Sequence, residues 1–281
     1  MGTQDLSQAI EAAIETALRE DMPEGDLTSE SVIRPDARSE AFFLAKEDGV
    51  LAGLDIASRV FAKIDPSVIF IERFRDGAAF RAGDKLARVK GPTIALLKGE
   101  RTALNFLQHL CGVATATRRF VEAVAGTKTR ILDTRKTTPG LRLLEKYAVK
   151  TGGGTNHRIS LSDMVLIKDN HLRQVGSVAE AVRRARSKVR PGVRVEVEAA
   201  SLLQVREALA AGADMVMLDN MPIETMNQAV TLAGGRVPLE ASGNMTIDRV
   251  RAVAETGVDY ISVGALTHSA RAVDISLDFV H

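Results

Sequence analysis

The sequence has little of what marks several common classes of protein. Tryptophan is absent and aromatic residues are only 4% of the 281 residues, which leaves little for stacking exposed bases. A single cysteine, Cys111, excludes an internal disulfide and any metal site built from several cysteines. Its apolar neighbours predict a small buried side chain rather than a nucleophile.

Long apolar runs and an excess of one charge are also missing. No apolar run approaches the roughly 18 residues that a membrane span needs, and the first residues lack the basic-then-apolar pattern of a signal peptide. The formal net charge is +1, from 37 basic and 36 acidic residues, so no general field favours nucleic acid or an anionic membrane. We therefore expect a cytoplasmic protein without nucleic-acid or membrane partners, in which any anion binding is local.

The apolar fraction of 45% and the charged fraction of 26% are ordinary for one large or two moderate globular domains. The first part of the chain predicts an α+β domain. An amphipathic helix follows Asp5, strands are expected near residues 41–45, 68–74 and 85–89, and a helix near 53–64. A long helical region, 94–120, comes next and has a potential break at Gly112.

From residue 129 onward, short apolar strands alternate with helical patterns. The predicted strands end near Asp133, Ile167, Glu198, Leu218, Ala241 and Val263. Repeated strand–helix units imply a parallel sheet with helices outside, and about 140 residues is well below the roughly 250 of a complete eight-stranded barrel. We predict a partial α/β barrel of six or seven strands. The alternating tail, 273–279, predicts a strand that returns to the N-terminal domain.

Ionisable or small polar residues follow all six predicted strands, and ligands of parallel α/β proteins bind at these carboxyl ends. The early strand ends, from Asp133 to His171, are rich in cations: Arg135, Lys136, His157, Arg158 and Lys168. The later ones carry Glu196, Glu198, Asp219, Asn220, Glu240, Ser242, Gly243 and Asn244, and finally Ser262, Val263, Gly264 and Ala265. The pattern predicts a ligand with anionic groups on one side and a sugar or a metal on the other.

Several of these residues have simpler structural interpretations. Glu196 and Glu198 are two apart on one strand, so both are expected to face inward. Glu240 is a candidate buried partner for Lys136 or Lys168. We expect structural roles for His171 and His268.

Longer motifs follow one another in order along almost the whole chain. They are Gly25-Asp26-Leu27-Thr28, Glu100 to Gln108, Asp133 to Gly140, Glu145 to Val149, Asn156-His157-Arg158, Leu166 to His171, Glu196-Val197-Glu198, Met217 to Asn220, Glu240 to Asn244, and Ser262 to Ser269. In these motifs the chain resembles the quinolinate phosphoribosyltransferases, with Cys111 as the one noted departure, where serine is commoner.

The resemblance implies an N-terminal α/β sandwich, residues 1–111, completed by the tail 267–281, and a partial α/β barrel, residues 112–266. It implies transfer of a phosphoribosyl group from phosphoribosyl pyrophosphate to quinolinate with decarboxylation, giving nicotinate mononucleotide, pyrophosphate and CO2 for NAD biosynthesis. It also implies Mg2+ as cofactor and a homodimer in which Arg101 reaches the partner's site. Assembly beyond the dimer is left open.

The resemblance also assigns roles to residues of the site. Arg135, His157, Arg158 and Lys168, with Thr134 beside them, would bind quinolinate together with Arg101 of the other subunit. Lys136 and Lys168 would face the pyrophosphate, and Glu198 and Asp219 would bind ribose hydroxyls and Mg2+; these four are the expected catalytic residues. Ser242, Gly243, Asn244, Val263, Gly264 and Ala265 would bind the 5′-phosphate.

Three other functions are compatible with the same residues. Lys168 at a strand end could form a Schiff base in a barrel lyase. A paralogue of the same fold could act on another substrate. A non-catalytic protein could simply bind a phosphate-bearing ligand, although the cationic and acidic sets are both present.

Overall fold

The computed structural model describes the backbone of residues 3–280 and the side chains of residues 5–280. Contacts divide the chain into two compact units. The first contains the described residues up to Arg118, the segment Thr137–Gly153, and the described residues from Ser269 onward. The second consists of Arg119–Lys136 and Gly154–His268.

The helices and strands of the described residues have the following bounds. In chain order they are α1 (Thr3–Asp21), α2 (Leu27–Val32), β1 (Arg38–Ala45), β2 (Gly49–Val50), α3 (Leu54–Ile64), β3 (Ile69–Glu72), β4 (Ala79–Phe80), β5 (Lys85–Pro92), α4 (Thr93–Ala123), β6 (Arg130–Leu132), α5 (Arg142–Thr151), β7 (Val165–Ile167), α6 (Asp169–Val175), α7 (Val178–Lys188), β8 (Val195–Ala199), α8 (Leu202–Ala210), β9 (Met215–Asp219), α9 (Ile223–Ala233), β10 (Leu239–Ser242), α10 (Ile247–Glu255), β11 (Tyr260–Ser262), α11 (Ala265–His268) and β12 (Ile275–Phe279). None of the helices in this part of the chain combines the length and apolarity that a bilayer crossing requires.

The first unit is built on a four-stranded antiparallel sheet with the order β12-β1-β5-β3. The tail strand β12 pairs with β1, from Ala41 opposite Phe279 to Ala45 opposite Ile275. Ile275 and Leu277 are buried while Asp278 is exposed, as the alternating pattern requires. The predicted return of the tail to the N-terminal sheet is confirmed.

Aromatic side chains link this sheet to a helix of the same unit. Phe43 of β1 lies 6.2 Å from Phe61 of α3 and 5.7 Å from Phe70 of β3, measured between ring centroids. Phe43 and Phe61 are fully buried. Burial of large rings in edge-to-face or tilted pairs is a strong contribution to the core of a chain with few aromatics.

Helix α4 runs without interruption through Gly112, so the potential break at that residue is wrong. Gly112 serves close packing instead, because a Cβ atom there would overlap the carbonyl group of Arg271. The neighbouring Cys111 is buried, as predicted, and burial raises the pKa of its thiol to about 12. A buried thiol of this kind is a poor nucleophile.

The second unit is a six-stranded parallel sheet with the order β6-β11-β10-β9-β8-β7. This is the cyclic order of a barrel opened between β6 and β7, where Thr155 forms a parallel bridge to Leu132 of β6. The predicted partial barrel is confirmed with six strands. Each strand ends within one residue of its predicted end.

Glycine at position 112 should be required for stability. Replacing a helical glycine with alanine normally stabilises a protein by up to about 1 kcal/mol. In Gly112→Ala, overlap with the backbone at Arg271 should reverse the sign and cost about 1–3 kcal/mol. Urea denaturation measures the difference. Arg119→Ala, on the exposed face of the same helix, is the control and should stay within about 0.5 kcal/mol of wild type. A stabilised Gly112→Ala variant would contradict this interpretation.

Candidate active site

The carboxyl ends of the parallel strands surround a cavity of about 850 Å3 in the second unit. Its size is in the range of sites for small organic ligands and cofactors. The ionisable lining residues are Asp133, Arg135, Lys136, His157, Arg158, Lys168, Glu198, Asp219, Glu240 and His268. The remaining lining residues are Thr134, Leu166, Met217, Asn220, Ser242, Gly243, Asn244, Met245, Thr246, Ser262, Gly264 and Ala265. Cations and carboxylates that are far apart in sequence therefore share one cavity.

A buried aspartate fixes the cationic side of the cavity. Asp133 follows β6 and is fully buried. Its Oδ1 atom accepts the backbone N–H of His157 at 2.8 Å, and its Oδ2 atom accepts the side-chain amide of Asn156 at 2.5 Å. Thr155 donates its N–H to Ile131 at 2.8 Å. These bonds fasten the segment that carries His157 and Arg158 to β6.

The imidazole of His157 lies between two fully buried carboxylates, one on β8 and one on β10. Its Nε2 atom is 3.1 Å from Glu196 Oε2 and 3.2 Å from Glu240 Oε2. Burial opposes the positive charge, but the hydrogen bonds and charges of the two glutamates prevail and raise the pKa of His157 to about 9. The Nδ1 atom accepts the N–H of Arg158 at 2.7 Å, a contact that also acts against protonation.

Charges within this cluster depend on one another. Burial and the Glu240 carboxylate raise the pKa of Glu196, although the His157 imidazolium acts against that rise. A protonated His157 imidazole favours an ionised Glu196, so a raised pKa of His157 opposes a raised pKa of Glu196. The raised pKa of His157 prevails, because without its proton two carboxylates would be buried without a counter-charge. Three groups of this kind could also hold a metal ion, but Nε2 already forms a hydrogen bond with Glu196.

Lys168 stands at the start of α6, directly after β7. Its backbone N–H donates to Nδ1 of His171 at 2.9 Å, so His171 caps the helix and has the predicted structural role. The Lys168 ammonium is half exposed and lies 3.7 Å from Glu198 Oε2. This contact joins the cationic and the acidic sides of the cavity.

Carboxylates and small polar residues form the other side. Glu198 is on β8, and Asp219 ends β9 beside Ser242 of β10 in the parallel register. Burial raises the pKa of Glu198, with Lys168 acting against the rise and Asp219 adding to it. Two neighbouring carboxylates that repel each other offer oxygen ligands suited to Mg2+, an ion that usually keeps several of its bound waters.

The last strand ends supply backbone in unusual conformations. Asn220 and Asn244 have φ angles of 53° and 48°, in the left-handed region. Gly264 and Ala265 line the cavity after β11, and Ala265 begins the short helix α11. Val263 between these elements is buried, and its N–H donates to Leu132 at 2.9 Å.

Most residues singled out from the sequence meet in this cavity, but Glu196 and Val263 are buried and are not among the described residues that line it. There are three further differences. Arg101 is exposed on α4 in the first unit and is not among the described residues that line the cavity. Glu240 pairs with His157, so the expectation of a lysine partner is wrong. Met217, Met245 and Thr246 also line the cavity and were not anticipated; only the position of Met217 on a strand could have suggested it.

Family models match nearly the whole chain. The model of the quinolinate phosphoribosyl transferase N-terminal domain matches residues 26–111, and that of the C-terminal domain matches residues 113–278. The chain belongs to the quinolinate phosphoribosyltransferase family.

Named relatives agree with this membership. A probable carboxylating nicotinate-nucleotide pyrophosphorylase of Bacillus subtilis (strain 168) is 46% identical over 259 residues, covering 92% of this chain and 89% of the relative. The decarboxylating quinolinate phosphoribosyltransferase 1b of Nicotiana tabacum is 42% identical, covering 95% and 81%. The crystal structure of NadC from Streptococcus pyogenes matches with a TM-score of 0.93 and 43% identity, covering 97% of each chain. The structure of the nicotinate-nucleotide pyrophosphorylase of Francisella tularensis matches with a TM-score of 0.93, 41% identity, and 97% and 96% coverage.

The carboxylate of Glu240 should determine how readily His157 takes up a proton. In Glu240→Gln the pKa of His157 should fall from about 9 toward its ordinary value of about 6.5, because one buried negative charge is lost. In wild type, protonated His157 stabilises the fold below about pH 6.5, and this stabilisation is lost as the pH rises through about 9. An NMR titration of the imidazole, assigned with His157→Asn, measures the pKa. The control Glu224→Gln, at an exposed position on α9, should leave the pKa of His157 unchanged. An unaltered pKa in Glu240→Gln would refute the assignment.

Proposed function

We propose that this protein transfers the phosphoribosyl group of phosphoribosyl pyrophosphate to quinolinate and releases CO2, so that nicotinate mononucleotide and pyrophosphate are formed. The observation that carries the proposal is the division of one cavity into a cationic side and an acidic side at the strand ends. Quinolinate has two carboxylates, and the other substrate joins a pyrophosphate to a ribose phosphate. The carboxylates and the pyrophosphate match the cationic side in charge, and the ribose hydroxyls can donate hydrogen bonds to the carboxylates of the acidic side.

The cationic side suits the dicarboxylate. Arg135 follows β6, and Arg158 lies in the segment fixed by Asp133. Both residues line the cavity. A guanidinium can hold a carboxylate in bidentate fashion, so these two residues would fix the plane of the pyridine ring. His157 and Lys168 would add positive charge beside them, with Thr134 as a further polar contact.

The other residues suit the phosphoribosyl donor. Lys136 and Lys168 would face the pyrophosphate, for which a lysine is a point-charge partner. Glu198 and Asp219 would accept hydrogen bonds from ribose hydroxyls. Ser242, Gly243 and Asn244, with Gly264 and Ala265, would surround the 5′-phosphate, while Val263 would act only through its place in the backbone.

The chemistry requires no covalent intermediate with the protein. The lone pair of the pyridine nitrogen forms a bond to the anomeric carbon as the bond from that carbon to pyrophosphate breaks. Positive charge develops on the ribose, where Glu198 and Asp219 stabilise it, while Lys136 and Lys168 stabilise the leaving pyrophosphate. The carboxylate next to the new pyridinium nitrogen then leaves as CO2, its electron pair stays on the ring carbon beside that nitrogen, and a proton takes its place.

Glu198 and Asp219 are also the residues that would hold Mg2+, because both offer carboxylate oxygens to the cavity. When bound, the ion supplies positive charge that neutralises pyrophosphate oxygens. Removal of divalent cations should therefore reduce the rate. Lys168, close to Glu198, would offset part of the same negative charge.

We further propose a cytoplasmic homodimer. Arg101 is an exposed cation on α4 of the first unit, and the family resemblance implies that it would reach the partner's site. It would meet the same anionic substrate as Arg135 and Arg158. We likewise propose the predicted division into two domains, residues 1–111 with 267–281 and residues 112–266.

A Schiff-base lyase is a weaker explanation of the same cavity. An amine nucleophile works as the free base, which a desolvated or cation-rich environment promotes. Lys168 is half exposed and lies 3.7 Å from the Glu198 carboxylate, which is neither a desolvated setting nor a cationic neighbour. Borohydride trapping with carbonyl compounds should therefore leave Lys168 unmodified.

The decisive assay supplies quinolinate, phosphoribosyl pyrophosphate and Mg2+, and follows nicotinate mononucleotide and CO2 together. Quinolinate labelled in the carboxyl group next to the ring nitrogen identifies the carbon that is released. Formation of the nucleotide from nicotinic acid, without CO2, would instead indicate a paralogue with another substrate. No product from either would reject the proposal.

Loss of the Lys168 ammonium should impair the transfer itself. Lys168→Ala should lower kcat roughly 100-fold or more, because charge on the leaving pyrophosphate loses a stabilising partner. The matched control is Lys150→Ala, at an exposed lysine of α5, which should keep wild-type rates. Unchanged transfer by Lys168→Ala would remove this residue from the mechanism.

Sharing of sites between subunits can be tested by complementation. Arg101→Ala and Lys168→Ala chains, each inactive as homodimers, are co-expressed with different tags, and the mixed dimer is purified. It should regain about half of the wild-type activity, because one of its two sites contains both native residues. A mixed dimer without activity would mean that Arg101 acts within its own subunit, and an active Arg101→Ala homodimer would mean that it does not act in the site at all.

A further inference from the structure

Arg249 connects two of the loops that border the cavity. It lies in the first turn of α10 and is half-buried. Its Nη1 atom donates to the carbonyl oxygen of Gly243 at 3.1 Å, and its Nη2 atom donates to that of Met221 at 3.0 Å. Those carbonyls belong to the loops after β10 and β9. Arg249 is not among the described residues that line the cavity.

Both loops hold residues in conformations that the chain would not adopt unaided. Asn220, after β9, has a φ angle of 53°, and Asn244, after β10, has one of 48°. Residues other than glycine pay a conformational cost in this left-handed region and stay there only when their surroundings hold them. Contacts with the surrounding structure must therefore hold both loops in these conformations.

The two loops also depend on each other. The N–H of Asn220 donates to Ser242 at 2.9 Å, and the side-chain amide of Asn244 lies 3.5 Å from Asn220 Oδ1. Gly243 has a φ angle of 99°, and a Cβ atom there would overlap the amide of Asn220. A shift of one loop must therefore displace the other.

The position of Arg249 is unfavourable for a simple surface charge. A cation in the first turn of a helix is repelled by the positive end of the helix dipole. Within the part of the chain that the structure describes, no carboxylate forms an ion pair with Arg249 to offset this. The guanidinium instead donates hydrogen bonds to the two loop carbonyls, whose spacing suits its rigid fork of donors.

We infer that Arg249 is a positioning residue, which holds the loops after β9 and β10 in register so that Asp219 and the Ser242–Asn244 loop meet one ligand together. The ligand class is a sugar phosphate, with its hydroxyls toward Asp219 and its phosphate toward Ser242, Gly243 and Asn244. The inference rests on the proposed function for the identity of that ligand. The arrangement of the loops rests on the hydrogen bonds alone.

Two variants separate the donors from the bulk of the side chain. Arg249→Met keeps an apolar stem without donors, and Arg249→Lys keeps the charge but cannot bridge two carbonyls in a fork. In Arg249→Met, KM for phosphoribosyl pyrophosphate should rise roughly tenfold or more, since small misplacements of binding groups are costly. KM for quinolinate should change by less than about twofold, since its proposed ligands lie on other loops. The KM of Arg249→Lys for phosphoribosyl pyrophosphate should lie between the values of Arg249→Met and wild type.

Hydrogen exchange reports on the loops without reference to activity. The N–H of Asn220, bonded to Ser242, should exchange roughly tenfold faster in Arg249→Met, because its loop is released. The matched control is Arg236→Met. Arg236 likewise donates to two carbonyls, of Ala233 and Leu232, but it precedes β10 at the opposite end of the strand. It should leave both KM values and the exchange at Asn220 unaltered.

Each outcome decides the inference. Wild-type exchange at Asn220 and wild-type KM values in Arg249→Met would overturn it, as would equal effects from Arg236→Met. Should Arg249→Met fail to fold, Arg249→Lys is measured in the same way, and wild-type behaviour there overturns the inference. Wild-type protein without transferase activity would reject the proposed function, while exchange at Asn220 would still decide whether Arg249 holds the loops.

Discussion

Two buried carboxylates facing one imidazole are the constraint on which the candidate site depends. Glu196 and Glu240 lie inside the parallel sheet with no access to solvent, so they need a counter-charge supplied by the protein. His157 supplies it from a segment that is not a strand of the sheet. That segment is in turn fastened to β6 by Asp133, through the N–H of His157 and the amide of Asn156. Charge burial and backbone bonding thus place the cationic segment against the sheet.

This arrangement explains why the cavity has two sides of opposite charge. Parallel strands bring all their carboxyl ends to one edge, so the sequence of strands around the sheet becomes the sequence of charges around the cavity. Cations follow β6 and β7, while carboxylates lie on β8 and β9. Lys168 and Glu198 meet at the boundary. A ligand that spans the boundary must itself be anionic at one end and able to donate hydrogen bonds at the other.

Much of this could be predicted because the relevant signals are local. The ends of the six parallel strands follow from short apolar runs, and the tail strand follows from alternation over a few residues. Glu196 and Glu198 were expected to face inward because they lie two apart on one strand. What could not be predicted depends on contacts between distant segments. No pattern in the neighbouring sequence indicates three of these contacts. They are the pairing of Glu240 with His157, the packing of Gly112 on Arg271, and the hydrogen bonds from Arg249 to Gly243 and Met221. Glycine in a helix predicts a break unless the group that needs the space is known.

The pairing of β12 with β1 has a consequence for synthesis. The ribosome makes the strand at residues 38–45 before the second unit and its partner at residues 275–279 after it. The sheet of the first unit therefore has an unpaired edge at β1 during the whole time that the second unit is being made. The six parallel strands, which are contiguous in the chain apart from the inserted segment Thr137–Gly153, are complete before that edge is covered. Such an edge is open to wrong pairing until residues 275–279 emerge, so closure of this sheet must wait for synthesis of the second unit.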